Sequence, residues 1–239
     1  MKDKVIRAIP GPNPNMAQVI LRADPESIEI DSLRTAIMVI DMQNAFCSKG
    51  GMFDLWGNDI SGSQRIIKPI QRIIGIAHLK GSKVIYTASV LSSDLRELGD
   101  PDSAISYKIG VPSSCREHPE WKDILTFRGT WGADIIQELK LQDGDILVEK
   151  SMRSAFFATN LDMILKTFKI RYLAFVGVAT NVCVESTIRD ASYLGYWPIL
   201  ISDACANTGP PFIQEATIFN VKRSFGWVTT SQNLLQALQ

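Results

Sequence analysis

The sequence lacks most of the signals by which a chain declares a partner or a compartment. Across 239 residues it carries no net charge, 25 Lys+Arg standing against 25 Asp+Glu, and it has no long block of like charges. Such a chain has no electrostatic footprint for a phosphate backbone or an anionic lipid surface, so neither nucleic acid nor membrane is an expected partner. No apolar run approaches the roughly 18 residues of a membrane span. The basic residues of the opening MKDKVIRAIPGPNPN are not followed by the apolar stretch of a secretory signal. The four cysteines, Cys47, Cys115, Cys183 and Cys205, lie far apart without CxxC spacing. That spacing argues against a disulfide framework or a thiolate zinc knuckle and makes a reducing cytoplasm the simplest setting. The two histidines, His78 and His118, are too few and too isolated to build a zinc-hydrolase site. Any hydrolytic chemistry is therefore expected to proceed without histidine.

What is present is enough apolar chain for a core: 46% of residues are hydrophobic and 21% charged. Short runs rich in β-branched residues read as buried parallel strands: TAIMVI before Asp41, Lys83–Ala88, Asp145–Lys150, Tyr172–Val178 and Trp197–Ser202. Helical spacing falls between them at Ser63–Lys80, Ala133–Leu139, Leu161–Phe168, Val182–Leu194 and Phe212–Arg223, with a last strand at Trp227–Thr229 and a terminal helix at Gln232–Leu238. Alternation of this kind predicts an α/β fold with helices on both faces of one sheet. Residues 1–30, with Pro10, Pro12, Pro14 and Pro25, are expected as an extended arm, a surface strap or a contact to a neighbouring subunit, ahead of a domain at 31–239. The segment Leu91–Trp131 breaks the rhythm with Gly, Pro and Ser and is long enough to form a lid or substrate wall.

Open α/β sheets bind ligands beyond the carboxyl ends of their strands. Three chemistry-bearing residues stand there: Asp41 after AIMVI, Lys150 after DILVE and Cys183 just past the FVGVATNV turn. Singly, each has an ordinary explanation as a turn cap, a solvated charge or a small buried hydrophobe. Together they compose a nucleophilic amidohydrolase. A thiol of reference pKa about 8.5 is activated by a helix N-terminus and a nearby ammonium. A carboxylate takes the thiol proton and later returns it to a departing amine. Free backbone N–H groups of the GVATNVC turn are suited to the oxyanion of a tetrahedral intermediate.

The runs VIDMQNAFCSKGG, GDILVEKSMRSAFFATNLD and FVGVATNVCVESTIRDASYLGY resemble, in order and spacing, those of the isochorismatase-like cysteine hydrolases. The resemblance spans the chain from about Asp31 onward. It implies a three-layer α/β/α sandwich with a mostly parallel sheet of about six strands, and a triad of Asp41, Lys150 and Cys183. It also implies a non-proline cis peptide at Val178–Ala179, with the N–H groups of Ala179 and Cys183 as the oxyanion hole, and a homo-oligomeric assembly. The metal-dependent branch of the family places histidines after the second strand; SVLSSDLRELGD has none, so no metal is expected.

The same resemblance points to the C–N bond of a small ureido or carbamoyl compound of the ureidoacrylate type, cleaved to carbamate that decomposes to ammonia and carbon dioxide. Biuret and N-carbamoyl amino acids are the alternative substrates, and a non-catalytic binding or scaffold protein is the alternative of another class. Isochorismate cleavage does not need the thiol, and the intact Cys183 speaks against it. For substrate contacts, Gln43 and Asn44 are candidates to orient Asp41 or an amide, and Phe46, Trp56 and Trp131 are candidate apolar walls. Met52, Val90 and Arg153 stand where ureido-cleaving relatives carry aromatic side chains. Arg153 is a candidate carboxylate ligand, with a solvated loop charge as its alternative.

Overall fold

The computed structural model describes residues 5–6 and 18–239. Its strands are β1 (Val5–Ile6), β2 (Gln18–Leu21), β3 (Ser27–Asp31), β4 (Thr35–Ile40), β5 (Lys83–Ser89), β6 (Ile146–Lys150), β7 (Tyr172–Val178), β8 (Trp197–Ala206) and β9 (Trp227–Thr229). The last six form one all-parallel sheet in the order β6-β5-β4-β7-β8-β9. Helices cover both faces, which is why every residue of β4 and β7 is buried and why both read as unbroken apolar runs.

Side-chain alternation sorts the core into two layers. Ile37 and Val39 of β4 join Val84, Tyr86, Ala174 and Val176 against the helices Ile67–Lys80 and Ser231–Leu238. Ala36, Met38 and Ile40 join Leu173 and Phe175 on the other face, against Leu161 and Leu165 of the helix Leu161–Thr167 and Ile188 and Ala191 of the helix Glu185–Tyr193. A third apolar cluster lies outside the sheet, where Ala45 and Met52 meet Leu91, Leu98, Ile109, Val111, Leu125 and Phe127 of the long insertion.

Several elements depart from the sequence expectation. The segment Ala133–Leu139 is not a helix; it holds only the single 3-10 turns Trp131–Ala133 and Gln137–Leu139. Its backbone is drawn away from helical pairing: the Asn44 N–H donates to Asp134 O (2.9 Å), the Ile136 N–H donates to Met42 O (3.0 Å), and Gln43 pairs with Ile135 in an isolated bridge. The helix expected from Ser63 is split into Ser61–Arg65 and Ile67–Lys80. β8 runs on to Ala206 past a register shift opposite Phe175–Gly177.

Of the expected N-terminal arm, residues 1–4 and 7–17 lie outside those described. β2 and β3 form an antiparallel hairpin, Gln18 opposite Asp31 and Leu21 opposite Ile28, with β1 parallel to β3. Leu21, Ile28 and Ile30 are fully buried in the first core layer, so this stretch is docked on the chain's own domain rather than running free as a strap.

Candidate active site

From β4 the chain steps outward to β5 and β6, then returns to lay β7 beside β4 and steps outward the other way. The reversal leaves a crevice beyond the carboxyl ends of β4 and β7, the position at which open α/β sheets take ligands. Asp41 follows β4, Cys183 lies in the turn after β7, and Lys150 ends β6.

Asp41 turns the chain sharply, with φ of 49°, a left-handed conformation that few non-glycine residues adopt. It is 1% exposed. Its Oδ1 accepts from Thr87 Oγ1 (2.7 Å) and its Oδ2 lies 2.7 Å from Lys150 Nζ. The ammonium is likewise buried and also donates to Met152 O (3.1 Å). Two charges out of water are tolerated because each neutralises the other and both keep further hydrogen bonds.

The Cys183 thiol, partly open to the crevice, lies within the electrostatic reach of both Asp41 and Lys150. Burial pushes this thiol up to about 12, and the Asp41 carboxylate adds to the rise against the lowering pull of Lys150. Burial acts on Lys150 in the opposite sense, but Asp41 and Cys183 outweigh it and hold the ammonium above its ordinary value. The direction of this shift favours a neutral thiol at rest, in keeping with a proton that Asp41 has to take. Its proton has a buried carboxylate waiting for it.

Local sequence explains how Cys183 reaches this spot. At Gly177, φ is 115° and a Cβ would sit 2.1 Å from Ile40 O, so only glycine lets β7 approach β4 so closely. A cis peptide joins Val178 to Ala179, as the resemblance implied. A π-helical turn, Thr180–Val184, then leads into the helix Glu185–Tyr193, with Val182 and Val184 N–H donating to Ala179 O (3.0 and 3.3 Å). Among the described residues the Ala179 N–H meets no acceptor. Thr187 Oγ1 donates to Cys183 O (2.6 Å) and accepts from Ala155 N (3.1 Å). Glu185, whose carboxylate binds Thr217, Arg189 and Asn220, ties the start of the helix to Pro211–Asn220.

Asp41 and Cys183 open into a cavity of about 240 Å³, with Lys150 behind Asp41. Its walls are Phe46, Met52, Phe53, Trp56, Val178, Ala179 and Val182 from the sheet side, and Lys108–Val111 and Thr126 from the insertion, with Ser89 and Arg153 at the polar edge. Phe46 packs edge-on to Phe53 at 4.9 Å, Phe53 meets Trp56 at 5.6 Å, and Trp56 Nε1 donates to Ser114 Oγ (2.9 Å).

The sequence candidates therefore divide. Phe46, Trp56, Met52 and Arg153 line the cavity; Gln43, Asn44, Trp131 and Val90 do not. The Gln43 amide is fully used, donating to Ser89 O and Ala133 O and accepting from Ser89 N. Asn44 donates to Trp131 O and accepts from Ser48 Oγ, so these residues hold the rim together. Asp203 fixes the next loop by accepting from Ser231 N and Oγ (2.6 and 2.7 Å). Sequence reading missed Phe53, Ser89, Lys108–Val111 and Thr126. For the insertion, its length was the available signal, since its residues carry no motif. Among the described residues no three His, Cys, Asp or Glu side chains gather as a metal ligand set. His78 pairs with Asp145 and His118 stacks on Trp121, both away from the cavity.

The chain, with this parallel sheet and this site, belongs to the isochorismatase family: the isochorismatase domain matches residues 35–233. Ureidoacrylate amidohydrolase RutB of Rhizobium rhizogenes is 43% identical over 219 residues, 92% of this chain and 89% of that protein. The enzyme of the same name from Agrobacterium fabrum is 45% identical over 210 residues, 88% of this chain and 92% of that protein. Among solved structures, a cysteine hydrolase from Pseudomonas syringae pv. phaseolicola superposes with a TM-score of 0.71 at 26% identity, covering 93% of this chain and 98% of its own.

Proposed function

We propose that this protein is a cysteine-dependent amidohydrolase that cleaves a small ureido compound of the ureidoacrylate type. The observation that carries this reading is the buried Asp41–Lys150 pair at 2.7 Å with the Cys183 thiol beside it, Asp41 and Cys183 both lining one cavity. The similarity to ureidoacrylate amidohydrolases over about nine-tenths of the chain supports the substrate class.

In the first step Cys183 Sγ bonds to the carbamoyl carbon as its proton passes to Asp41. The oxyanion is received by the N–H groups of Ala179 and Cys183, which act strongly where water is excluded. Asp41 returns the proton to the departing nitrogen, the C–N bond breaks, and the amine product leaves a thiocarbamate on sulfur. Water, deprotonated by Asp41, then attacks that carbon, the C–S bond breaks, and the proton passes from Asp41 to the departing sulfur. Carbamic acid leaves, ionises to carbamate and decomposes to ammonia and carbon dioxide. Lys150 stays charged throughout and offsets the negative charge as it moves between sulfur, carboxylate and oxyanion. The unpaired state of all four cysteines fits a reducing, cytoplasmic setting. A homo-oligomer accords with the family, and light scattering of the purified chain measures its size.

The test is ammonia release from ureidoacrylate, biuret and N-carbamoyl amino acids, with Cys183→Ala and Cys183→Ser run beside the native chain. The native protein should release ammonia fastest from ureidoacrylate, both variants should fall by at least ~10³-fold, and mass spectrometry should trap a carbamoyl adduct on Cys183. Undiminished turnover in the variants would remove the nucleophile assignment. Preference for biuret would move the reading to its alternative.

A further inference from the structure

We infer that Arg153 is the group that holds the carboxylate of the ureidoacrylate-type substrate and sets the preference for an acid over a neutral ureido compound. The inference deepens the reading of the cavity as a ureido-hydrolase site and rests on it.

The charges at the cavity, counting Lys150 behind its wall, do not balance. Asp41 and Lys150 cancel each other at 2.7 Å, and Cys183 rests as a neutral thiol. Two cations remain on the wall, Arg153 and Lys108, and among the described residues neither lies in an ion pair. The chain as a whole is neutral, so the excess belongs to the site and not to a generally basic surface. Arg153 is partly buried beside apolar walls such as Phe53, Trp56 and Ile109, where a carboxylate meets its guanidinium with less competing water than on an open surface.

Arg153 is also prepared for the task. Its Nη2 donates to Lys108 O at 3.0 Å, which fixes the guanidinium plane on the insertion wall. Guanidinium carries five donors in a rigid fork that matches the two oxygens of a carboxylate, and one anchoring bond leaves most of them available. Its charge is felt at the Cys183 sulfur, where it favours the thiolate, so the two groups face the same small volume. A molecule that places a carbamoyl carbon at Cys183 and a carboxylate at Arg153 is therefore short. Neutral biuret leaves the guanidinium unpaired.

The experiment compares ureidoacrylate with its primary amide, which differs only in charge, in the native chain and in Arg153→Gln, Arg153→Lys and Lys108→Gln. The acid-to-amide ratio of kcat/KM should fall at least tenfold in Arg153→Gln, mainly through KM for the acid. It should fall less in Arg153→Lys, which keeps the charge but loses the fork, and least in Lys108→Gln. A second readout avoids turnover: acrylate titrated calorimetrically into Cys183→Ala should bind, and binding should vanish in Cys183→Ala/Arg153→Gln. Thermal melting of each variant identifies any that fails to fold, in which case Arg153→Lys carries the comparison. An unchanged ratio in a folded Arg153→Gln protein, or acrylate binding indifferent to Arg153, would overturn the inference while leaving the hydrolase reading in place. Arg153-dependent acrylate binding in a protein that hydrolyses no ureido compound would sink the reading and keep the anion site.

Discussion

At the residue scale, the site depends on how burial weighs on each ionisable group. Cys47 and Cys183 are both pushed up to about 12 by burial, and Cys205 is raised for the same reason. In the unfolded chain these thiols ionise near the ordinary value of 9.0. Between pH 9 and 12 the unfolded state therefore binds fewer protons than the folded one, and stability must fall as pH rises. Below pH 9 that contribution is fully present. Lys150, raised above 10.5, adds a loss of the same sign at the upper end of the window. Urea unfolding followed from pH 8 to 11 should show a midpoint that declines above pH 9. Cys47→Ala, which removes a thiol outside the cavity, should flatten the decline by up to about 1.4 kcal/mol per pH unit of the window. A midpoint independent of pH up to 11 would mean that the buried thiols ionise as easily folded as unfolded. That Asp41, Lys150 and Cys183 converge was legible because Lys150 ends β6, Asp41 follows β4 and Cys183 lies in the turn just after β7. The neutral state of the thiol was not legible, since it depends on burial and on Asp41 lying alongside, two facts of packing.

At the scale of elements, legibility followed the source of each element's order. β4 and β7 were read to their end residues because both faces are covered and the sequence shows it as TAIMVI and YLAFVGV. Ala133–Leu139 has helical spacing, yet its backbone is held by pairing with Met42, Gln43 and Asn44, partners some ninety residues away that a local pattern cannot reveal. The same long-range dependence governs Gly177. A methyl group there would lie 2.1 Å from Ile40 O, and the residue's φ of 115° is closed to L side chains. Gly177→Ala has to push β7 off β4 at the point where Asp41 and the Cys183 turn are held together. We expect a loss of about 3 kcal/mol or more in urea unfolding, in the range of strained and overpacked substitutions. Ammonia release should fall by at least ~10²-fold in whatever protein folds. A variant of native stability and activity would show that the close approach of the two strands is dispensable.

At the scale of the whole molecule, the N-terminal hairpin shows how a sheet with an exposed edge is finished. β9 ends the six-stranded sheet, and an unpaired edge strand invites association with other chains. Asp24, between β2 and β3, pairs with Val228 of β9 through two backbone hydrogen bonds of 2.8 and 3.0 Å, covering part of that edge. Thr229 Oγ1 adds a bond to Arg22 O at 2.5 Å. Beside this seam, Leu21, Ile28 and Ile30 enter the first core layer with no exposed surface. Sequence reading took this stretch for part of an arm because four prolines surround it and each strand is too short for a clear period; burial, not propensity, makes it structure. Removing residues 1–31 takes those three side chains out of the core and uncovers β9, whereas the triad is carried by β4, β6 and the turn after β7. Ile28→Ala, a milder change, should cost roughly 2–5 kcal/mol in urea unfolding. The full deletion should shift the purified protein toward aggregates in size-exclusion chromatography, while Ile28→Ala should keep its kcat within about twofold, because the hairpin supports the fold and touches none of the reacting groups. A deletion protein that stays dispersed, with native unfolding behaviour, would show the hairpin to be an ornament on a sheet that closes without it.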